Sequence, residues 1–179
     1  MEWGRGVREA DGEGGAPRDY RRDGLWTIHR HWRSAGTAIS SRENKGRIAM
    51  EKEIVDVPVM SAKTRSLGVP CSPAVKANGF VFISGTPPID METGQMVRGD
   101  IEAQTEASLK AVKHLLEAAG SSLEKVVMVR VYAANSGFYA AINRVYAKYF
   151  PVDPPARTFV PVASWPMEFD IEIECQAVA

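Results

Sequence analysis

The sequence predicts an α+β domain in which a single sheet carries two helices on one face. Three patterns point to it. Two stretches show one apolar stripe each at helical spacing, the pair Asn78-Gly79 sits between apolar runs as a hairpin turn, and the C-terminal residues alternate strictly between polar and apolar. The expected order is β-β-α-β-α-β-β.

The chain of 179 residues is 45% hydrophobic and 25% charged, an ordinary globular composition long enough to bury a sizeable core. Its formal net charge is zero but unevenly spread: residues 1–49 hold ten Lys and Arg against seven acids, and residues 50–179 hold twelve against fifteen. An acidic main body argues against a dedicated nucleic-acid groove, whose footprint is a basic stripe. Two cysteines, Cys71 and Cys175, give neither a disulfide framework nor paired metal-ligand spacing, so no metal site is expected. Free thiols suit a reducing compartment, and no run has the length of a transmembrane helix or the apolar core of a secretory signal. A soluble cytoplasmic protein is the expectation.

Residues 1–49 carry Gly-Glu-Gly-Gly at 12–15, arginine-rich clusters and no sustained apolar period, so no element is assigned there. Met50 opens Met-Glu-Lys-Glu-Ile-Val, a plausible native start. The front is therefore an upstream reading-frame extension, a disordered tail or an organelle-targeting peptide, with its seven acids counting against the last. The expected division is an extension over 1–49 and one domain over 50–179.

The domain is expected to open with the hairpin of Ala74 to Ala77 and Phe80 to Gly85, followed by turns at Gly85-Thr86-Pro87-Pro88 and Asp90 to Gly94. Asp100 suits a helix N-cap, Gly120 a helix end, and Leu109, Val112, Leu115, Leu116 and Ala119 form the stripe between them. His114 lies beside that stripe as a boundary residue. The β-branched run Val126 to Tyr132 reads as a strand, and Phe138, Ala141, Ile142, Val145, Tyr146 and Tyr149 mark a second helix stopped by Pro151.

Pro154-Pro155 then drive the chain into an extended segment from Arg157 to Val162. In the last strand Phe169, Ile171, Ile173, Cys175 and Ala177 alternate with Glu168, Asp170, Glu172, Glu174 and Gln176, which displays the acids together. Arg157 offers a planar fork for a carboxylate. On chemistry alone, a surface bridge from Arg157 to Glu172 or another acid of a neighbouring strand competes with a ligand-binding role. Two single-sided helices leave the other sheet face without a cover in the chain, so a homo-oligomer is expected.

Taken in order, the pieces resemble the Rid family, the YjgF-type (RidA-like) reactive intermediate deaminases also labelled endoribonucleases or translation inhibitors. The matching residues are Ala74-Val75-Lys76-Ala77-Asn78-Gly79 with Phe82-Ile83-Ser84-Gly85, Asp90 to Gly94, Gly99 to Thr105 and Leu116-Glu117-Ala118-Ala119-Gly120. They continue in Asn143-Arg144-Val145-Tyr146, Pro155-Ala156-Arg157-Thr158 and Ile171-Glu172-Ile173-Glu174, so the resemblance runs over 68–179. It implies a chorismate-mutase-like fold and a homotrimer with clefts between adjacent subunits. It also implies hydrolysis, without a cofactor, of reactive imine or enamine acids (2-aminoacrylate or 2-iminobutanoate type) released by pyridoxal-phosphate enzymes, giving 2-oxo acids and ammonia: metabolite damage control.

By the same resemblance the carboxylate-binding arginine falls on Arg157 and the water-positioning glutamate on Glu172. Asn143, Ser84 and Gly85 match cleft-lining positions, with Cys71, Thr158 and Phe159 as further substrate contacts. The chain departs from the family at Val69-Pro70-Cys71, where glycine-proline-tyrosine is usual. Thr86 replaces a common glutamine, and Phe159 stands where a smaller residue is usual. Cys71 has no sequence-local histidine to activate it as a nucleophile, and Trp165 reads either as a packing anchor or as a stacking surface. Other functions left open are a non-catalytic carboxylate-binding or chaperone-like trimer, a 2-aminomuconate-type deaminase, and a ribonuclease, the last disfavoured by the acidic body and the lack of a histidine pair.

Overall fold

A computed structural model describes residues 51–179. The expectations for residues 1–49 lie outside the described residues. The elements are β1 (Glu53–Val55), α1 (Pro58–Ser66), β2 (Ala74–Ala77), β3 (Phe80–Thr86), α2 (Ile101–Ala118), β4 (Val126–Ala133), α3 (Tyr139–Tyr149), β5 (Ala156–Pro161) and β6 (Ile171–Val178). No helix among the described residues is long and apolar enough to cross a membrane.

Local chemistry accounts for the boundaries. Asn78 and Gly79 adopt φ of 49° and 77°, the left-handed pair that a two-residue hairpin between β2 and β3 requires. The Asp100 carboxylate accepts from the Ala103 N–H at 2.8 Å and caps α2, and Gly120 follows the helix with φ of 78°. Pro58 starts α1, where a missing N–H costs nothing, and the Ser61 hydroxyl accepts from the Val57 N–H at 3.0 Å.

The strands form one six-stranded sheet in the order β1-β2-β3-β6-β4-β5. Every neighbouring pair is antiparallel except β4 and β5, which run parallel because α3 carries the chain back between them. The expected α+β architecture with α2 and α3 on one face is observed. Leu109, Val112, Leu115 and Leu116 of α2 and Ile142 and Val145 of α3 share one buried cluster with Val81, Ile83, Val129, Val131, Ile171 and Ile173. Among the described residues nothing covers the opposite face, where Ile54, Phe80, Phe82 and Val178 are all at least 40% exposed.

The amino-terminal part of the domain differs from expectation, since β1 and α1 precede the hairpin. β1 is three residues long, too short to display an alternation, and buries only Val55. α1 buries only Met60 and Ser61 and is otherwise polar, so no apolar stripe announces it. Both nonetheless serve the same core, to which Val55, Val57 and Met60 contribute. The departing segment Val69-Pro70-Cys71 thus precedes the second strand rather than the first.

Ile173 is fully buried in the strand between β3 and β4, whereas Val152 is 76% exposed in a loop. Urea denaturation is expected to show Ile173→Ala losing about 2–5 kcal/mol of stability and Val152→Ala less than about 0.5 kcal/mol.

Candidate functional site

Register decides where Arg157 points. It lies beside Val129 of β4, which in turn faces Cys175 of β6, and both of those neighbours are buried beneath the helices. Arg157 therefore leaves the sheet on its helix-bearing side, at the outer strand. There α3 meets it: the guanidinium carbon stands 4.7 Å from the Tyr146 ring centre and 5.7 Å from that of Tyr139. Its Nη2 donates to the Tyr139 hydroxyl at 3.4 Å. Two residues on, Phe159 meets Tyr139 edge to face, with ring centres 5.1 Å apart. The cation is thus held against aromatic faces, an attraction of about 0.5–2 kcal/mol per ring.

Burial pushes the Tyr146 phenol up to about 12, against the pull of the Arg157 cation, so it stays neutral at physiological pH. Its hydroxyl and Asn143 Oδ1 are both buried without a hydrogen-bond partner among the described residues. These two residues stand at i and i+3 of α3 and share one face of it. Unsatisfied buried polar atoms of this kind are costly, about 1–3 kcal/mol each, and mark groups awaiting a partner.

Glu172 sits on the other face. It is opposite Tyr132 of β4, with Glu174 opposite Arg130 and Gln176 opposite Met128. A bulge between Ile83 and Thr86 brings Ser84 and Gly85 beside it. A Cβ at Gly85 would come within 1.9 Å of Glu172 Oε1, so no larger residue fits while the carboxylate keeps this position. Oε2 accepts from the Trp165 indole N–H at 2.7 Å. Burial raises the Glu172 carboxyl above its ordinary range, the indole bond opposes that, and Glu174 raises it further.

The bridge expected as the competing reading of Arg157 is not formed with Glu172. β4 lies between β5 and β6, and the two side chains leave opposite faces of the sheet. Arg130 makes the cross-strand pair instead, reaching Glu174 at 2.5 Å. Among the described residues no carboxylate lies within ion-pair distance of Arg157.

The expected site residues accordingly fall into two groups. Arg157 and Phe159 share the helix-side edge, next to the α3 that carries Asn143. Ser84, Gly85 and Glu172 share the open face. Thr158 is beside Arg130 and so belongs to the open-face side, while Cys71 is exposed in the segment leading into β2. Ser84 is tied down, its hydroxyl donating to the Ser72 carbonyl at 2.7 Å, and Thr86 is buried with its hydroxyl on the Ser84 carbonyl.

Sequence reading missed Tyr139 and placed Tyr146 in the core stripe. Their spacing of seven, on the helix that leads directly to the strand of Arg157, was the available signal. A cavity of about 550 Å³ opens elsewhere, between residues 89–97 and α2, lined by Asp90, Glu106, Lys110 and His114 among others; none of the expected site residues borders it. His114 is exposed there, as expected of a boundary residue.

The sequence that builds this sheet matches a known class of protein. The family model described as Endoribonuclease L-PSP matches residues 65–179. A RutC family protein of Pyrococcus horikoshii is 47% identical over 108 residues, covering 60% of this chain and 86% of that protein. Reactive Intermediate Deaminase A, chloroplastic, of Arabidopsis thaliana is 40% identical over 129 residues, covering 72% of this chain and 67% of that protein. Among solved structures, TdcF of E. coli with bound serine aligns with a TM-score of 0.58 at 33% identity, covering 62% of this chain and 88% of that one. The chain belongs to the Endoribonuclease L-PSP family, the Rid family of the sequence comparison.

The raised Glu172 carboxyl has a stability consequence. Below its ordinary value of 4.5 both folded and unfolded chains hold it protonated, and as pH rises through the higher folded value the folded state bears the cost of the buried charge. Glu172→Gln is therefore expected to gain thermal stability relative to wild type as pH rises from about 4 to about 7. A difference that stays constant or falls over that range overturns the assignment.

Proposed function

We propose that the protein is a hydrolytic deaminase of imine and enamine acids, of the 2-aminoacrylate or 2-iminobutanoate type, yielding 2-oxo acids and ammonia. The observation that carries this is Arg157: a guanidinium braced by two tyrosines, with no carboxylate partner among the described residues, is a ready receptor for a substrate carboxylate. Two relatives lend support through their names, one a reactive intermediate deaminase and the other bound to serine, a small acid that shares the α-carboxylate of the proposed substrates.

Because Arg157 and Glu172 leave opposite faces of the sheet, one chain cannot close both on the same small substrate. The proposed enzyme is therefore a homotrimer in which the helix-side edge of one subunit meets the open face of the next. The exposed Ile54, Phe80, Phe82 and Val178 supply apolar surface for such contacts. In each cleft Arg157 would hold the substrate carboxylate by two parallel bonds, fixing the adjacent C=N carbon. Glu172 of the other subunit would take a proton from a water as its oxygen bonds to that carbon. That proton passes to nitrogen, giving a carbinolamine; Glu172 then takes the hydroxyl proton and returns it to the same nitrogen, so that the C–N bond breaks and ammonia leaves as the carbonyl forms. Water and imine account for every atom of the products, and these steps draw only on side chains. A cytoplasmic site of action is part of the proposal.

The test generates 2-iminobutanoate with a threonine dehydratase and traps it with semicarbazide. Wild type is expected to suppress trapping, Arg157→Ala to lose on the order of 10²-fold in hydrolysis, and Arg157→Lys to fall between, since it keeps the charge and loses the fork. Equal suppression by wild type and Arg157→Ala sinks the reading. Gly85→Ala should also lose at least about tenfold, because its Cβ displaces Glu172 Oε1.

A further inference from the structure

The loop from β5 to β6 ends in a clamp. Gln104 of α2, itself only 5% exposed, accepts from the Asp170 N–H at 2.8 Å and donates to the Asp170 carboxylate and the Gly99 carbonyl, each at 3.0 Å. This secures the residue after Phe169, which is buried and lies against Trp165 with ring centres 4.8 Å apart. The half-buried indole is thus backed by a ring whose own position is fixed from α2. Its N–H reaches Glu172 Oε2 at 2.7 Å.

From this geometry we propose that Trp165 is a positioning residue for Glu172: it ties Oε2 and leaves Oε1, the oxygen standing over Gly85, to face the water. An indole suits the task because it donates one bond and accepts none, so it occupies one oxygen without competing for the proton the other receives. A glutamate on a strand otherwise turns about three side-chain bonds, and only some of its rotamers place an oxygen over the bulge. Among the described residues of one chain, the groups that face Glu172 are few, and in the proposed trimer the Arg157 of the adjoining subunit is the same in wild type and variant. Glu174 lies next along β6, paired with Arg130 yet still raising the Glu172 carboxyl, Tyr132 lies opposite on β4, and β3 offers Ser84 and Gly85, which do not titrate in this range. The loop contributes the Trp165 N–H, and its acid Glu168 is paired with Arg98. Loss of the indole N–H therefore removes the bond that favours the ionised form, while every other facing group stays in place.

The inference rests on Glu172 as the water-orienting group, and the experiment separates the two. Carbon-detected NMR follows the Glu172 carboxyl through a pH titration in full-length wild type and Trp165→Phe, the signal assigned by its loss in Glu172→Gln. Trp165→Phe keeps the ring against Phe169 and removes only the N–H. The Glu172 midpoint is expected to move to higher pH in Trp165→Phe, the acidic limb of kcat to move with it, and kcat to fall roughly tenfold with KM nearly unchanged. Trp165→Leu, which also loses the ring, is the second variant. A packing role predicts that only Leu is impaired, and a positioning role predicts that Phe and Leu are impaired alike in kcat.

An unmoved Glu172 midpoint in Trp165→Phe overturns the proposal whatever the activity. A moved midpoint together with full activity in Glu172→Gln upholds the Trp165 contact and overturns the deaminase role of Glu172.

Discussion

The alternation along β6 is the constraint on which the rest of the molecule depends. This strand lies between β3 and β4, so each of its side chains must serve either the helix-covered core or the open face. Ile171, Ile173, Cys175 and Ala177 fill the first, all buried. Glu172, Glu174 and Gln176 fill the second. A slip of one residue would bury two carboxylates beneath α2 and strand the isoleucines in solvent, which fixes the register and with it the position of Glu172.

Both parts of the proposed site spend stability on readiness. Glu172 is held half-buried where its charged form is disfavoured, and the adjoining bulge admits it only because Gly85 has no side chain. On the other side, Asn143 Oδ1 and the Tyr146 hydroxyl are buried without partners among the described residues. A core large enough to include elements from α1 to β6 can absorb such costs. Two arginines of the sheet divide the work: Arg130 is consumed by Glu174, and Arg157 leaves the face opposite to the acids of β6.

Much of this was legible in the sequence because it is local. Asn78-Gly79 marked the hairpin through its positive φ values, Asp100 and Gly120 marked the ends of α2, and the period of Phe169 to Ala177 gave both the strand and its acidic face. β1 and α1 were illegible for the same reason in reverse. A three-residue strand is too short for a period, and a helix that buries one methionine and one serine has no stripe to count.

What the sequence by itself determined was the class of fold and the family resemblance, which also named Arg157 and Glu172 as the candidates for the proposed chemistry. What only the tertiary structure decided was their relation. Chain order says nothing of β4 being inserted between β5 and β6, nor of β5 running parallel to β4, yet these two facts send the arginine toward α3 and the glutamate toward the open face. Tyr139, Tyr146 and Trp165 gain their contacts from that same packing. A side chain's direction is set by its residue's parity within a strand, which sequence records, but its neighbours are set by strand order, which comes only with the folded sheet.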